Sequence, residues 1–451
     1  MKKYGFIIVL ILISTPSIWS QNQIHFNDYF INSTMRIDYY HMADKATEFI
    51  SIDIIYQQGT WAGSLHSLID PFNNGGYYIK IYDDASDTLI FSRGFNSYCG
   101  EYMTTDMAAN GIKRTFHETA LIPFPKKKIK FTVERRDRKN QLAPIFSQVI
   151  DPQSIDIDKG ALIEGVALFE TIKNGDPHQK VDLAFIAEGY TKAEELKFKQ
   201  DLQRMTTEFF NQEPYKRFKK DFNVYGVFKA SQESGPDEPG NGIFRNTVVD
   251  ASFNALGLSR YMLTEANRAL RDIAAHVPYD AIVIMVNSQR YGGGGIYNSF
   301  CIFSCDNQWS AYLLLHEFGH SFAGLADEYY SSTVAYNEFY PKGIEPTEPN
   351  ITALLDKKNV KWKHLVKKET PIPTPWGKEV YDKSNKEDKA AYLKDKALEL
   401  KDTVGAFEGA GYAARGLYRP MVNCIMFSKA RIPYCKVCEE AVVRMIENYK
   451  R

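Results

Sequence analysis

The chain is 451 residues long, 44% apolar and 24% charged, which excludes disordered and fibrous polymers and gives enough length for two domains rather than one. Lys plus Arg and Asp plus Glu balance at 55 each, so no net field draws a polyanion, and nucleic acid is set aside as a partner.

The first segment reads as an export signal. Lys2 and Lys3 form a basic start, Gly5 to Ser14 an apolar core, and Pro16 and Ser20 a break and a small residue, so Gln21 is the expected mature N terminus. A core of 10 residues rising ~1.5 Å each cannot cross ~30 Å of hydrocarbon. No later run is long and apolar enough to span a membrane, and no cysteine follows the core to carry a lipoprotein anchor. The expected location is therefore secreted or periplasmic, in a bacterium. Export permits disulfides among Cys99, Cys301, Cys305, Cys424, Cys435 and Cys438, in a pairing that sequence does not reveal. Cys435 and Cys438 form a C-x-x-C with no second copy, which reads as a structural thiol pair or disulfide rather than half of a zinc site.

From Gln21 to about Ile150 the texture is β. Ile79, Ile81, Phe131 and Val133 alternate with polar neighbours, and clusters such as Asn73 to Gly76 separate short runs. An antiparallel β-sandwich is expected over residues 21–155, ending in the polar stretch Asp151 to Gly160. Beyond it, residues 156–451 read as an α/β or α+β domain. The strand Val181 to Ile186 precedes a helical run from Lys192 to Phe210, and a second helical stretch, Leu258 to His276, leads into a strand at Tyr279 to Asn287. Gly292 to Gly295 lacks the Lys-Ser/Thr of a phosphate loop and reads as a rim or edge strand. Asp382 to Lys401 carries opposite charges at helical spacing, the pattern of a solvated helix.

The chemistry concentrates in Trp309 to Tyr330, WSAYLLLHEFGHSFAGLADEYY. His316, Glu317 and His320 form H-E-x-x-H behind the apolar run Tyr312 to Leu315, and a spacing of four puts both imidazoles on one helix face, close enough to share an ion. Glu317, turned about 100° from His316, can bear on a water at that ion without ligating it. Zinc suits imidazole and needs three protein ligands in a catalytic site, leaving one position for a water whose pKa falls to ~7. With Glu317 as general base, the reaction implied is amide hydrolysis. Gly324 can take the left-handed turn that ends a helix and returns the chain toward the metal, which places Asp327 to complete the ligand set.

This segment resembles the extended motif of metzincins, H-E-x-x-H-x-x-G-x-x-H or D, with one extra residue before the glycine. That insertion leaves Asp327 and Glu328 as the candidates for third ligand, Asp327 being favoured. The resemblance also implies a methionine turn, for which Asn423-Cys424-Ile425-Met426 is the candidate; Ser428 stands where some metzincins carry a tyrosine. More extensively, the chain resembles the IgA peptidase family of secreted bacterial metallopeptidases. The matching pieces are Glu188-Gly189-Tyr190-Thr191, HEFGHSFAGLADEY, TPIPTP at Thr370 to Pro375, GAFEGAGY at Gly405 to Tyr412, YRPMVNCIM at Tyr418 to Met426, and YCKVC ending at Cys438. The resemblance implies a zincin-type catalytic domain behind an N-terminal sandwich, without making immunoglobulin A the substrate.

The expected activity is that of a zinc metallopeptidase, an endopeptidase acting on peptides or extracellular proteins, host glycoproteins among them. Ala281 to Val286 followed by Tyr291 to Ile296 is the candidate edge strand for an extended substrate. Competing readings are an exopeptidase and an exported glycan- or protein-binding module with a structural zinc. Glu317 argues against the last, because a structural site has no use for a carboxylate beside an open position. Tyr418 and Arg419 are left outside the catalytic set.

Overall fold

The computed structural model describes residues 24–160, 162–330 and 339–450. The expected signal segment, residues 1–20, lies outside them. The short helix α1 (Phe26–Tyr29) opens the described chain, followed by β1 (Phe30–Ala43), β2 (Glu48–Gln58), β3 (Tyr77–Asp83) and β4 (Leu89–Phe95). Two further short helices, α2 (Tyr98–Tyr102) and α3 (Asp106–Ala109), precede β5 (Arg114–Pro125), β6 (Ile129–Arg136), β7 (Leu142–Ile150) and β8 (Ile157–Asp158). They make two four-stranded sheets in the orders β5-β1-β2-β8 and β4-β3-β6-β7, antiparallel throughout except for β2 with β8. Alternation explains the packing. Met35, Ile37 and Tyr39 of β1 and Ile79 and Ile81 of β3 point into one shared core, with Val133 and Phe131 paired opposite the latter two. This is the expected sandwich.

A mixed α/β unit follows: β9 (Val166–Ile172), β10 (Val181–Glu188), α4 (Glu195–Phe210), β11 (Phe222–Lys229), α5 (Asn267–Ala274), β12 (Ala281–Val286), β13 (Gly293–Ile296), β14 (Phe300–Ser304) and α6 (Ser310–Ala323). Helices α7 (Lys378–Lys383) and α8 (Lys386–Glu399), the hairpin of β15 (Phe407–Ala410) and β16 (Ala413–Arg419), and α9 (Lys436–Tyr449) complete it. The sheet order is β13-β14-β12-β10-β11-β9, with β10, β11, β12 and β14 parallel and the edges β9 and β13 antiparallel. Both faces are covered, which is why its inner strands are near-continuous apolar runs. Leu183 and Phe185 face a core shared with α4, α6 and α9, whereas Ala184 and Ile186 face one shared with α5 and the loop around Val249 to Leu263.

Two expectations change. The second helical stretch is shorter than Leu258 to His276, since residues 252–263 are held instead by isolated bridges such as Ser252 with Leu263. β12 is an interior strand, so of the two candidate segments only Gly293–Ile296 lies at the sheet edge, where Tyr261 already bridges to Gly293.

The sandwich is fastened to the second unit beside the end of α6. Asn96 N donates to Tyr297 O at 3.0 Å and Asn298 Nδ2 to Gly94 O at 2.6 Å, while Arg36 Nη1 reaches Asp272 Oδ1 at 2.6 Å. Within the sandwich a buried polar knot joins the sheets. His41 lies between Glu118 at 2.9 Å and Glu48 at 2.8 Å, and Glu48 also accepts from Tyr77 at 2.8 Å and Arg135 at 2.7 Å. Burial alone would lower the His41 pKa, but the flanking carboxylates, Glu118 foremost, hold it well above its ordinary 6.5. Glu48 is driven the other way, to about 2, by His41 and Arg135 against the opposing effect of burial. The His41 contribution to stability is therefore complete below about pH 6.5 and disappears as pH rises through the raised folded value, and the Glu48 contribution disappears as pH falls from about 4.5 toward 2. His41→Gln is expected to lower the denaturant midpoint most between these limits, and the gap from the native chain should narrow in alkali. A gap independent of pH would show that the knot is not ionised.

Candidate active site

Helix α6 is buried on almost every side. Leu313, Leu314 and Phe318 are among its fully enclosed side chains, each contributing roughly 1.5–3 kcal/mol of burial. It ends at Gly324, whose left-handed backbone (φ 62°) lets Gly324 N and Leu325 N bond back to the carbonyls of His320 and Gly319. A side chain at Gly319 would meet Met426 Sδ at 3.2 Å and the Tyr434 hydroxyl at 3.1 Å, so the small residue inside HEFGH lets the buried Met426 pack under the helix between the two histidines.

Each histidine is oriented from behind. His316 Nδ1 lies 3.1 Å from Ile425 O, and His320 Nδ1 lies 2.6 Å from Leu325 O. A carbonyl can only accept, so the proton belongs on each Nδ1 and the Nε2 lone pairs face forward. The two Nε2 atoms are 3.2 Å apart, and Asp327 Oδ1 stands 3.0 Å from that of His316 and 3.3 Å from that of His320. Tetrahedral bonds of ~2.0 Å place neighbouring ligand atoms about 3.3 Å apart, so the three donors form one face of such a polyhedron. Asp327 Oδ1 is buried and has no hydrogen-bond donor among the described residues, so the donor set fits a divalent cation. Burial works to lower the His320 pKa, yet the Asp327 carboxylate carries it up to about 9, so a proton competes with a cation for this place.

The chain beyond α6 is clamped to deliver Asp327. Asn350 exchanges hydrogen bonds with Ala326, and Glu328 N donates to Met426 O at 2.8 Å. At the tip of the β15–β16 hairpin, Gly411 N donates to Asp327 O at 3.0 Å, and the Tyr412 hydroxyl donates to Asp327 Oδ2. Successive residues of extended chain point to opposite sides. Asp327 therefore faces the imidazoles, and Glu328 points away from them into a group of cysteines.

Glu317 is half-buried, its carboxylate within 4.8 Å of the histidine nitrogens. Enclosure raises its pKa, with His316 and His320 pulling the other way. The glycine run of β13 makes room for it. A Cβ on Gly293 would stand 3.1 Å from Glu317 Oε1, and one on Gly295 would stand 2.3 Å from Glu317 O. All four site residues line a cleft of about 510 Å³ together with Tyr291, Arg260 and, from the sandwich, Glu101. A second cavity of about 610 Å³ shares Asn96, Glu101 and Tyr340 with it and runs on along the sandwich.

Residues 169–446 match the family model of the IgA peptidase M64, and residues 25–147 match that of the peptidase M64 N-terminus. The chain belongs to the IgA peptidase M64 family. It is thus a peptidase, and a search of curated proteins found no match. The M64 peptidase match takes in α6, the returning loop, the hairpin and α9 as far as Ile446, and with them His316, Glu317, His320, Asp327 and Tyr412.

Other family segments prove structural. The Glu188 carboxylate accepts from the backbone of Val249 and Ala251 and holds that loop. Arg419, fully buried between Trp376 and Phe427, donates to the carbonyls of Gly409 and Val422. Tyr412 is the site residue that sequence reading did not single out, although GAFEGAGY contains it. Its left-handed backbone (φ 63°) at a glycine-flanked tip is the local sign of a constrained turn. Gly295→Ala is expected to push β13 off α6 at a cost of about 1–3 kcal/mol, read as a lowered unfolding midpoint. An unchanged midpoint would mean that strand and helix are not in contact as described.

Proposed function

We propose that this M64 peptidase is an exported zinc-dependent endopeptidase, with His316, His320 and Asp327 as the metal ligands and Glu317 as the general base. The observation that carries the reading is the convergence of two imidazole nitrogens and one carboxylate oxygen, 3.0–3.3 Å from one another, at the floor of a cleft. Zinc accepts this nitrogen and oxygen set, and it supplies Lewis acidity toward water and the scissile carbonyl when bound. The carbonyls of Ile425 and Leu325 hold the Nδ1 protons and aim both Nε2 lone pairs forward, and Tyr412 fixes the carboxylate through its second oxygen. Glu317 takes a proton from the attacking water and returns it to the leaving amine, its raised pKa bringing it nearer the working range of a base.

Endopeptidase action is supported by the second cavity adjoining the cleft, which offers length for substrate residues well beyond the proposed metal ligands on the sandwich side. Export rests on the pattern from Lys2 to Ser20. Glu317→Gln is expected to keep its metal and its fold while cleavage of a terminally blocked peptide falls by about 10²–10⁴. Cleavage at the native rate would remove the mechanism, and cleavage confined to peptides with a free terminus would turn the reading to an exopeptidase.

A further inference from the structure

Behind the catalytic centre lies a second group of ligand-type side chains. Glu328, Cys424, Cys435 and Cys438 each offer one atom within 4.8 Å of the others, and all four residues are buried. Cys424 Sγ and Cys438 Sγ are 3.8 Å apart, and Glu328 Oε1 stands 3.2 Å from Cys438 Sγ and 3.8 Å from Cys435 Sγ. Zinc bonds of ~2.3 Å to sulfur and ~2.0 Å to oxygen, set tetrahedrally, place sulfurs about 3.8 Å from each other and about 3.5 Å from oxygen. The separations bracket those values.

The surroundings suit a cation better than three isolated thiols and an acid. Cys424 Sγ accepts from Met426 N at 3.5 Å and Cys435 N at 3.2 Å, the backbone pattern that steadies a thiolate. Glu328 is fully buried, its Oε2 has no partner, and no Lys, Arg or His pairs with it among the described residues. Arg419, the buried cation nearby, attracts the carboxylate from a distance but gives Nη1 and Nη2 to carbonyls and makes no ion pair with it. A buried carboxylate that no cation touches is costly; its Oε1 accepts from the neutral Asn350 Nδ2 at 3.1 Å, and a disulfide between two of the cysteines would leave Oε2 still without a partner.

We propose that Cys424, Cys435, Cys438 and Glu328 bind a second zinc ion, a closed structural site distinct from the catalytic one. With four protein ligands it keeps no open position and takes no part in hydrolysis. Its effect is to pin three segments that the catalytic centre depends on: the loop carrying Asp327, the turn carrying Ile425 and Met426, and the start of α9. The adjacent residues Asp327 and Glu328 thus each serve a different metal.

The test is metal analysis of the full chain purified without reductant or chelator, alongside the His316→Ala/His320→Ala double variant, followed by cobalt(II) replacement. The native chain should hold two zinc equivalents and the double variant one. The cobalt form of that variant should show the intense near-ultraviolet thiolate-to-cobalt charge-transfer band, which nitrogen and oxygen ligands cannot produce. In the zinc-loaded native chain Cys424, Cys435 and Cys438 should resist alkylation until zinc is removed, a readout that requires no cysteine variant to fold. A disulfide joining any two of the three in the unreduced chain, or no zinc and no charge-transfer band in the double variant, would overturn the second site. Neither result touches the catalytic assignment, which stands on the zinc that the histidine variant loses.

Discussion

Two imidazole lone pairs and a carboxylate oxygen, held 3.0–3.3 Å apart inside the protein, repel one another unless a positive charge sits among them. Much of the surrounding architecture exists to hold them there regardless. Backbone carbonyls of Leu325 and Ile425 fix the imidazole protons on the far side of each ring. Gly324 reverses the chain within one turn of His320, and a hairpin tip some 85 residues away secures the carboxylate through Tyr412. The site is thus assembled from a rigid helix, a closely packed edge strand and two returning loops, which keeps the donors in place before any ligand arrives.

The sandwich is part of this arrangement. It meets the catalytic unit at Tyr297 and Asn298, next to the strand and helix end that carry the site, and Glu101 and Asn96 extend the cleft wall. A substrate long enough to leave the first cavity would run into the second, lined on one side by Arg135 to Arg138 of the sandwich. The N-terminal unit accordingly supplies wall to both cavities, and its buried His41 knot joins the two sheets beneath that wall.

Legibility in the sequence followed the range of the interactions. Helix α6 and its glycine end are local, set by 3.6-residue periodicity and one left-handed residue, and HEFGHSFAGLADEY expressed them directly. The alternation in β3 and β6 is equally local and marked the sandwich. What lay beyond reach was pairing across distance. Which of Asp327 and Glu328 turns to the imidazoles depends on a hairpin and on a turn about a hundred residues downstream, and Glu328 meets Cys438 across 110 positions. The C-x-x-C looked solitary because its other two partners come from separate elements. The stretch from Leu258 to Ala266 carried helical composition, but a turn at Ser259 and Arg260 and bridges from Gly293 to Tyr261 and from Ser252 to Leu263 replace the helix there.

The central claim is that His316, His320 and Asp327 share one zinc ion. Anomalous diffraction across the zinc absorption edge, on crystals of the mature chain grown with zinc, tests it most directly. The account predicts a peak about 2 Å from both Nε2 atoms and from Asp327 Oδ1. Crystals that bind zinc elsewhere but show no peak at that point would contradict it.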